Sequence, residues 1–263
     1  MTDFPARADF AIDLARRAGA LALGYFSQLD TLTIESKGPQ DLVSEADREV
    51  ELFIRAEISS TYPHDGIVGE EHAPKRGKSG FDWIIDPIDG TASFVSGIPQ
   101  WCVIIACVRD GSAIVGVIHD PVASETFHGY LGGGAFVNGR PIHTSKATAL
   151  DKGATGIGFN NRTPARNIIP VVDDLIKQGG TFFRNGSGGL MLAYVAAGRL
   201  LGYVEEHMNA WDCLDALLLI EEAGGKIVRP DAQTAVANGA MVIAGGAGVF
   251  GALEALVKDP FGR

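Results

Sequence analysis

An apolar segment that ends in two carboxylates constrains this chain more than any other feature of its sequence. Residues 83–91 are Trp-Ile-Ile-Asp-Pro-Ile-Asp-Gly-Thr, and their apolar start predicts a buried strand. The strand delivers Asp86 and Asp89 to a bend that contains a proline and a glycine. Two carboxylates about 4 Å apart repel each other by about 4 kcal/mol at an effective dielectric constant of 20. Hard divalent cations such as Mg²⁺ compensate such a pair naturally.

The segment Asp-Pro-Ile-Asp-Gly-Thr at residues 86–91 would also suit a plain surface turn. Acidic residues elsewhere in the chain favour a metal site instead. Glu70 and Glu71 follow a short predicted strand at residues 66–68, and Asp212 begins an apolar helical pattern. Taken singly, these acids are typical of a solvated strand end and a helix N-cap. Together they provide the oxygen ligands that a two-metal site requires.

The composition narrows the class of protein. A chain of 263 residues, 46% of them hydrophobic, forms one large domain or two coupled lobes. Its 22 Lys and Arg against 32 Asp and Glu give a net charge of −10, opposite in sign to a nucleic-acid-binding surface. Nucleic acid is therefore disfavoured as a direct ligand. An acidic protein can still handle anionic substrates where bound cations supply the positive charge.

The sequence also predicts a cytoplasmic location. Cys102, Cys107 and Cys213 form no C-x-x-C pair and lie in apolar runs, so we expect three reduced core thiols. The first ten residues carry no apolar signal segment. The longest apolar run, residues 101–108, is well short of the roughly 20 residues that span a bilayer, so no membrane association is expected.

Hydrophobic periodicity predicts helices first and then a sheet. Residues 9–26 and a segment that starts at Ser44 and runs to about residue 62 carry apolar residues at helical spacing. Residues 81–142 alternate strand patterns with tight turns at Asp110-Gly111 and Asn138-Gly139, which predicts a mostly antiparallel sheet.

Helical and strand patterns alternate in the last third, which indicates an α/β lobe. The predicted helices are at residues 164–178, 187–198, 210–223 and 248–257, and the predicted strands at 156–159, 181–183, 201–204 and 241–244. We expect a single unit, 1–263. It can be divided into two possible lobes. Residues 1–150 would contain helices, the antiparallel sheet and the metal site, and residues 151–263 would form the α/β lobe.

Four segments resemble motifs of the inositol monophosphatase family, the magnesium-dependent, lithium-sensitive phosphatases. They lie in the family's order and span nearly the whole chain. The segments are Lys37, Asp41 and Asp47 in the early K…D-L-V motif, Gly69-Glu70-Glu71-His72, residues 83–94, and Trp211-Asp212 with Glu222-Ala223-Gly224-Gly225.

The resemblance implies a layered α/β (α+β) sandwich of alternating α-β-α-β-α layers, the sugar-phosphatase fold, in a homodimer. It implies Mg²⁺-dependent hydrolysis of a small polyol phosphate monoester, with myo-inositol 1-phosphate as the favoured substrate and two or three Mg²⁺ per site. Histidinol phosphate and fructose 1,6-bisphosphate are the alternatives within the family. A regulatory binding partner in an RNA-processing or transcription complex is the alternative from a different class.

The family's site residues carry over onto matching positions of this chain. The implied metal ligands are Glu70, Asp86, the Ile88 carbonyl, Asp89 and Asp212. The implied catalytic residues are Thr91, which would activate the attacking water, Asp47 behind it, and Glu70. The implied substrate contacts are Gly90, Thr91 and Ala92 for the phosphate, and Gly186, Ser187, Gly188 and Glu205 for phosphate and polyol.

Some positions depart from common family forms and leave the substrate open. Ala92-Ser93 and Gly188-Gly189 replace more frequent pairs, and Glu206 and His207 add an acid and a histidine beside Glu205. An extra acid such as Glu206 could favour the amine of histidinol phosphate.

Two glycine-rich segments resemble phosphate loops. Residues 246–251 match G-x-G-x-x-G, but the following βαβ unit is missing, so we predict a helix-start turn. Residues 132–134 are three glycines with no following Lys-Ser or Lys-Thr, and here we predict a turn between strands.

Overall fold

A seven-stranded and a five-stranded sheet, each flanked by helices, organise the computed structural model, which describes residues 3–38 and 41–262. The side chains of Thr31 and residues 36–43 lie outside the described residues, and with them the motif side chains of Lys37 and Asp41. A separate hairpin of β1 (Ile34–Gly38) and β2 (Asp41–Ser44) lies between the first two helices in the chain.

The seven-stranded sheet keeps the order of the chain. Only its first pair, β3 with β4, is parallel, and every later pair is antiparallel. The strands are β3 (Gly66–Gly69), β4 (Phe81–Asp89), β5 (Cys102–Arg109), β6 (Ser112–Asp120), β7 (Glu125–Tyr130), β8 (Gly134–Val137) and β9 (Arg140–Pro141). Asp110, Gly111, Asn138 and Gly139 have positive φ angles, which confirms the two predicted tight turns.

Two long helices, α1 (Phe4–Phe26) and α2 (Glu45–Thr61), cover one face of this sheet. Their apolar stripes, which include Leu14 of α1 and Ile54 of α2, pack against the large side chains Trp83 and Trp101. Helix α2 matches the predicted segment, and α1 begins five residues before its predicted start at residue 9. A short helix, α3 (Thr91–Val95), follows β4 directly.

The five-stranded sheet has the order β11, β10, β12, β14, β13, and its first three strands are parallel. The strands are β10 (Ala154–Ile157), β11 (Thr181–Phe183), β12 (Gly202–Met208), β13 (Lys226–Ile227) and β14 (Ala240–Gly245). The helices of this half are α4 (Ala165–Lys177), α5 (Gly188–Ala196), α6 (Leu214–Glu222), α7 (Ala232–Asn238) and α8 (Phe250–Val257).

A shared core joins the two sheets. Helices α5 and α6 pack between them, with Ile104 and Phe127 of the larger sheet on one side and Tyr203 and Val242 of the smaller sheet on the other. Helices α4 and α8 cover the opposite face of the smaller sheet. The layers are therefore helix, sheet, helix, sheet, helix, which confirms the predicted fold class.

Several short elements differ from the sequence prediction. The helix expected at 210–223 divides into a 3₁₀ turn, Ala210–Asp212, and α6, so Asp212 stands before the α-helix. Strand β4 extends to Asp89, beyond the predicted end at residue 85. The hairpin β1–β2, strand β13 and helix α7 carry too few periodic residues to be recognised.

In both glycine-rich segments, the backbone is already in contact with other parts of the protein. A Cβ at Gly246 would lie 2.2 Å from the Ser145 carbonyl oxygen, so close backbone contact explains this glycine. The backbone N–H groups of Gly132 and Gly134 each donate to the Glu222 carboxylate at 2.8 Å. The first segment precedes α8 and the second joins β7 to β8, as predicted.

The three cysteines are buried and free. Among the described helices, none is both long enough and apolar enough to cross a membrane.

A buried ion pair fastens α1 to the larger sheet. Arg7 Nη1 donates to Asp65 Oδ2 at 2.5 Å, and the guanidinium carbon lies 3.9 Å from the centroid of the Phe81 ring. Asp65 also accepts hydrogen bonds from Trp83 Nε1 at 2.9 Å and Ser79 Oγ at 2.6 Å.

Replacing Arg7 by Met should lower the free energy of unfolding by about 3–5 kcal/mol, because it leaves the Asp65 charge buried without its cation. Urea denaturation measures the loss, and Arg76→Met, at an exposed position, is the matched control, with an expected change of about 0.5 kcal/mol or less. Equal stability of the two variants would show that Arg7 is not needed to compensate Asp65.

A buried histidine joins β6 to α1. His119 Nδ1 lies 3.1 Å from Thr126 Oγ1, and its ring packs so closely on α1 that a Cβ at Gly19 would lie 2.4 Å from His119 Cδ2. Burial lowers the pKa of His119 to about 4. The fold therefore prefers the neutral ring.

This preference predicts a pH-dependent stability. The unfolded chain protonates His119 near pH 6.5, whereas the folded chain does so only near pH 4, so the stabilisation is complete above about pH 6.5 and is lost between about pH 6.5 and 4. The unfolding free energy of the wild type minus that of His119→Gln should fall by about 3 kcal/mol between pH 7 and pH 4. Urea denaturation at each pH measures this difference, and a constant value would contradict the burial effect.

Candidate active site

Three carboxylates from two distant parts of the chain meet at one point. Asp86 and Asp89 lie in the last four residues of β4, and Asp212 ends the 3₁₀ turn that follows β12. One oxygen of each lies within 4.8 Å of the others. The two sheets thus each contribute to a single acidic cluster.

The local sequence explains how β4 presents both of its carboxylates. The pairing of β4 with β5 shifts register between Asp86 and Asp89, at the point where Pro87 cannot donate to the ladder. Asp86 Oδ1 accepts the Ile88 N–H at 2.9 Å, which closes a small turn within the strand. Gly90, with φ at +95°, then turns the chain into α3.

Burial and mutual repulsion make the cluster electrostatically unfavourable. Burial raises the pKa of Asp86 well above its usual value, and the charges of Glu70 and Asp89 raise it further. Burial, followed by the charges of Asp89 and Glu205, raises the pKa of Asp212 to about 8. At 4.8 Å each charged pair repels by about 3.5 kcal/mol at an effective dielectric constant of 20.

The donor set fits a hard divalent cation. Within the described part of the chain, no Lys, Arg or His forms an ion pair with Asp86, Asp89 or Asp212. Mg²⁺ takes oxygen ligands, and a bound cation would remove the repulsion that the cluster otherwise carries.

Glu70 lies beside this cluster. It directly follows β3, whose Gly69 pairs with Ile85 of β4, so the parallel register brings Glu70 level with the acidic end of β4. Among the charges acting on Asp86, that of Glu70 has the largest effect on its pKa. Its oxygens are not part of the group that lies within 4.8 Å.

A threonine and an aspartate form a pair next to the acids. Thr91 Oγ1 lies 3.1 Å from both Asp47 Oδ1 and the Ile88 carbonyl oxygen. The other oxygen of Asp47 accepts the Ser44 N–H at 2.8 Å and the Ser44 hydroxyl at 2.6 Å. Burial raises the pKa of Asp47. The Ile88 carbonyl oxygen and the two donors of Ser44 therefore hold this pair in one orientation.

The N-terminus of α5, with its N-cap Ser187, holds Asp89 in place. Ser187 Oγ and the Gly189 N–H donate to Asp89 Oδ2 at 2.5 and 2.8 Å. A Cβ at Gly189 would lie 2.4 Å from Ile104 Cδ1, which accounts for the glycine at this departure from common family forms. The Ser187 side chain is buried against Asp89, whereas Gly186 and Gly188 line the neighbouring cavity.

Asp89 and Asp212 line a cavity of about 540 Å³, the active-site cleft. Glu205 lines it, and its carboxylate accepts hydrogen bonds from Tyr203 Oη at 2.5 Å and Asn160 Nδ2 at 2.9 Å. Burial raises the pKa of Glu205 to about 7. The cleft lining also includes Ala92, Ser93, Arg162, Arg184, Asn185 and Met208.

Glu206 and His207 have partners outside the cleft lining. Asn167 Nδ2 donates to both oxygens of Glu206, at 2.8 and 3.0 Å. His207 Nε2 lies 2.9 Å from the Asn238 carbonyl oxygen. Neither side chain is among the residues that line the cleft.

Sequence reasoning did not find every residue of the cleft. Tyr203 stands two residues before Glu205 on β12, so strand periodicity could have placed both on one face. Asn160, Arg162 and Arg184 lie outside helices and strands, where no pattern in the sequence marks them.

The structure is a five-layered α/β fold with a carboxylate cluster that could hold a metal ion. Residues 6–257 match the model of the Inositol monophosphatase family, and the chain belongs to that family.

Similar proteins agree with this assignment. The chain is 36% identical over 252 residues to an inositol-1-monophosphatase of Mesorhizobium japonicum, with 95% of each chain covered. It is 34% identical over 261 residues to the Nus factor SuhB of Xylella fastidiosa, with 96% of this chain and 94% of the relative covered. The crystal structure of the extragenic suppressor protein SuhB from Bartonella henselae superposes with a TM-score of 0.91 at 31% identity, covering 96% of this chain and 98% of that one.

Replacing Ser187 by Ala should lower phosphatase activity about 10- to 100-fold, because Asp89 loses the hydroxyl that orients it. Loss of the helix cap that the same hydroxyl provides to the Leu190 N–H should cost about 1 kcal/mol of stability. Phosphate release with Mg²⁺ measures the activity, and Ser27→Ala, at an exposed site, is the control. Unchanged activity would show that Asp89 needs no support from the Ser187 hydroxyl.

Proposed function

We propose that the protein hydrolyses the phosphate monoester of a small polyol in a Mg²⁺-dependent reaction, with myo-inositol 1-phosphate as the favoured substrate. The observation that carries this proposal is the cluster of three carboxylates beside the Thr91–Asp47 pair, at a cleft that Asp89 and Asp212 line. Lithium sensitivity, a homodimer and a cytoplasmic location are further properties that the sequence and its family resemblance predict.

The metal ligands we propose are the carboxylates of the cluster and its neighbours. Asp86, Asp89 and Asp212 would hold two or three Mg²⁺ together with Glu70 and the Ile88 carbonyl. When bound, Mg²⁺ lowers the pKa of water and neutralises the oxygens of the transferring phosphoryl group. Ser187 and Gly189 act on this set indirectly, because they hold Asp89 in place.

The Thr91–Asp47 pair would orient the attacking water. The Thr91 hydroxyl hydrogen can point to only one acceptor, and the Asp47 carboxylate provides a charge-assisted hydrogen bond. With its hydrogen so directed, Thr91 Oγ1 presents lone pairs that accept a hydrogen bond from water. Asp47 is fixed in turn by Ser44, so the water is placed by a chain of hydrogen bonds that leads back to α2.

The remaining cleft residues would bind the substrate. Backbone N–H groups at Gly90, Thr91 and Ala92 begin α3, and with Gly186 and Gly188 they would receive the phosphate. Glu205 would accept hydrogen bonds from polyol hydroxyls. Its orientation is fixed, because Tyr203 and Asn160 each donate to one of its oxygens.

Fructose 1,6-bisphosphate is the second candidate substrate. Arg162 and Arg184 line the cleft, and among the described side chains no carboxylate forms an ion pair with either. Such arginines suit a second phosphate group. A relative from Thermotoga maritima is named fructose-1,6-bisphosphatase/inositol-1-monophosphatase. Histidinol phosphate is less favoured, because Glu206 is bonded to Asn167 and does not face the cleft.

Because several relatives are named Nus factor SuhB, a regulatory role is the alternative function. A protein that only bound partners would have no chemical need for three carboxylates packed within 4.8 Å. The acidic cluster therefore favours catalysis as a function of this chain, and the assay below separates the two functions.

Replacing Asp89 by Asn should lower kcat/KM about 1000-fold, equivalent to about 4 kcal/mol of transition-state stabilisation, because the metal site loses a charged ligand. Phosphate release is measured with and without Mg²⁺ on myo-inositol 1-phosphate, fructose 1,6-bisphosphate and histidinol phosphate. Asp9→Asn, on the exposed face of α1, is the matched control.

Each outcome of this assay has one meaning. Magnesium-dependent turnover that Asp89→Asn removes and Asp9→Asn retains supports the proposed reaction. Substantial activity of Asp89→Asn would overturn the metal assignment. Silence of the folded wild-type protein on every substrate would favour the regulatory role.

A further inference from the structure

One face of α2 carries a line of charged residues that leads away from the site. Asp47, Glu51 and Arg55 are each four residues apart, so they lie one above another on the same side of the helix. Asp47 contacts Thr91. The two residues that follow contact the segment after Glu70.

Glu51 is fully buried and accepts hydrogen bonds from the backbone on the C-terminal side of Glu70. Its Oε2 accepts the Glu71 N–H at 2.7 Å, and its Oε1 accepts the His72 N–H at 3.1 Å. On the other side of Glu70, a Cβ at Gly69 would lie 2.5 Å from Glu51 Oε1. The carboxylate therefore packs against the chain both before and after Glu70.

Arg55 adds further hydrogen bonds to Glu51 and to the same segment. Its Nε donates to Glu51 Oε1 at 2.6 Å, and its terminal nitrogens donate to the carbonyl oxygens of His72 at 2.9 Å and Ala73 at 3.2 Å. The guanidinium thus balances the buried charge of Glu51 and binds the carbonyl groups of His72 and Ala73.

We infer that Glu51 and Arg55 are positioning residues that set the place of Glu70 at the metal site. The inference rests on the proposed role of Glu70 as a metal ligand. One rigid helix then fixes both the Thr91–Asp47 pair and the Glu70 segment, so water and metal keep a constant separation.

The ion pair and hydrogen bonds of Glu51 and Arg55 support a positioning role. A buried ion pair is a poor source of stability, because desolvation offsets its attraction. Four hydrogen bonds from this pair to three consecutive residues instead restrict the segment that carries Glu70. Residues that orient metal ligands typically change metal affinity about 10- to 100-fold when replaced.

The test measures metal binding directly, with Mn²⁺ as the probe. The loss of the free Mn²⁺ electron paramagnetic resonance signal gives the dissociation constant of the folded protein without any reaction. Glu51→Gln should raise this constant about 10- to 100-fold, because an amide cannot accept both N–H groups and the Arg55 hydrogen bond. Glu49→Gln, an exposed position on the same helix, should bind like the wild type.

Two milder variants keep the test valid if Glu51→Gln does not fold. Arg55→Lys retains the positive charge but loses the paired contacts to His72 and Ala73, and it should weaken Mn²⁺ binding severalfold. Gly69→Ala retains Glu51 and displaces its carboxylate through the added Cβ, with the same direction of effect. In all three variants, KM for myo-inositol 1-phosphate at saturating Mg²⁺ should stay near the wild-type value.

Wild-type Mn²⁺ affinity in folded Arg55→Lys and Gly69→Ala, with only the thermal stability lowered, would overturn the positioning role. Glu70→Gln separates this failure from failure of the proposed function. If Glu70→Gln also binds Mn²⁺ like the wild type, the ligand assignment itself is wrong. If only Glu70→Gln loses binding, Glu70 is a ligand that needs no support from α2.

Discussion

Repulsion among three clustered carboxylates, two of them buried, is the constraint on which the rest of the site depends. Asp86, Asp89 and Asp212 lie within 4.8 Å of one another, and burial raises the pKa of each. A fold does not gain stability from such a cluster, so the surrounding structure must hold it together. The supports are a register shift in β4 and hydrogen bonds from Ser187 and Gly189.

The five layers explain why these supports converge. Helices α5 and α6 share one apolar core with both sheets, so the ends of β4 and β12 keep a fixed relation. The N-terminus of α5 can then reach Asp89, and the turn before α6 can deliver Asp212. On the outer face, α2 presents Asp47 to Thr91 and Glu51 to the segment after Glu70. The α2 layer, the two sheets and the α5–α6 layer therefore each supply a part of the site.

Local patterns in the sequence predicted the long helices, the antiparallel strands and the acids of β4 and Asp212, whereas the order of the layers came from the family resemblance. The apolar run before Asp86 and the acid at Asp212 are visible without any coordinates. The direction of individual side chains was not visible. Ser187 was predicted to contact substrate, and the structure places its hydroxyl on Asp89. Glu206 is adjacent to Glu205 yet bonds Asn167, because neighbouring residues on a strand point to opposite faces. Such contacts between distant segments depend on tertiary packing, which periodicity does not encode.

The central claim is that the three carboxylates require a bound cation. Crystals soaked in Mn²⁺ test it most directly, through the anomalous difference density that the metal produces. Strong peaks are expected in contact with Asp86, Asp89 and Asp212, and with Glu70 beside them. Crystals at saturating Mn²⁺ that show no peak at these carboxylates would contradict it.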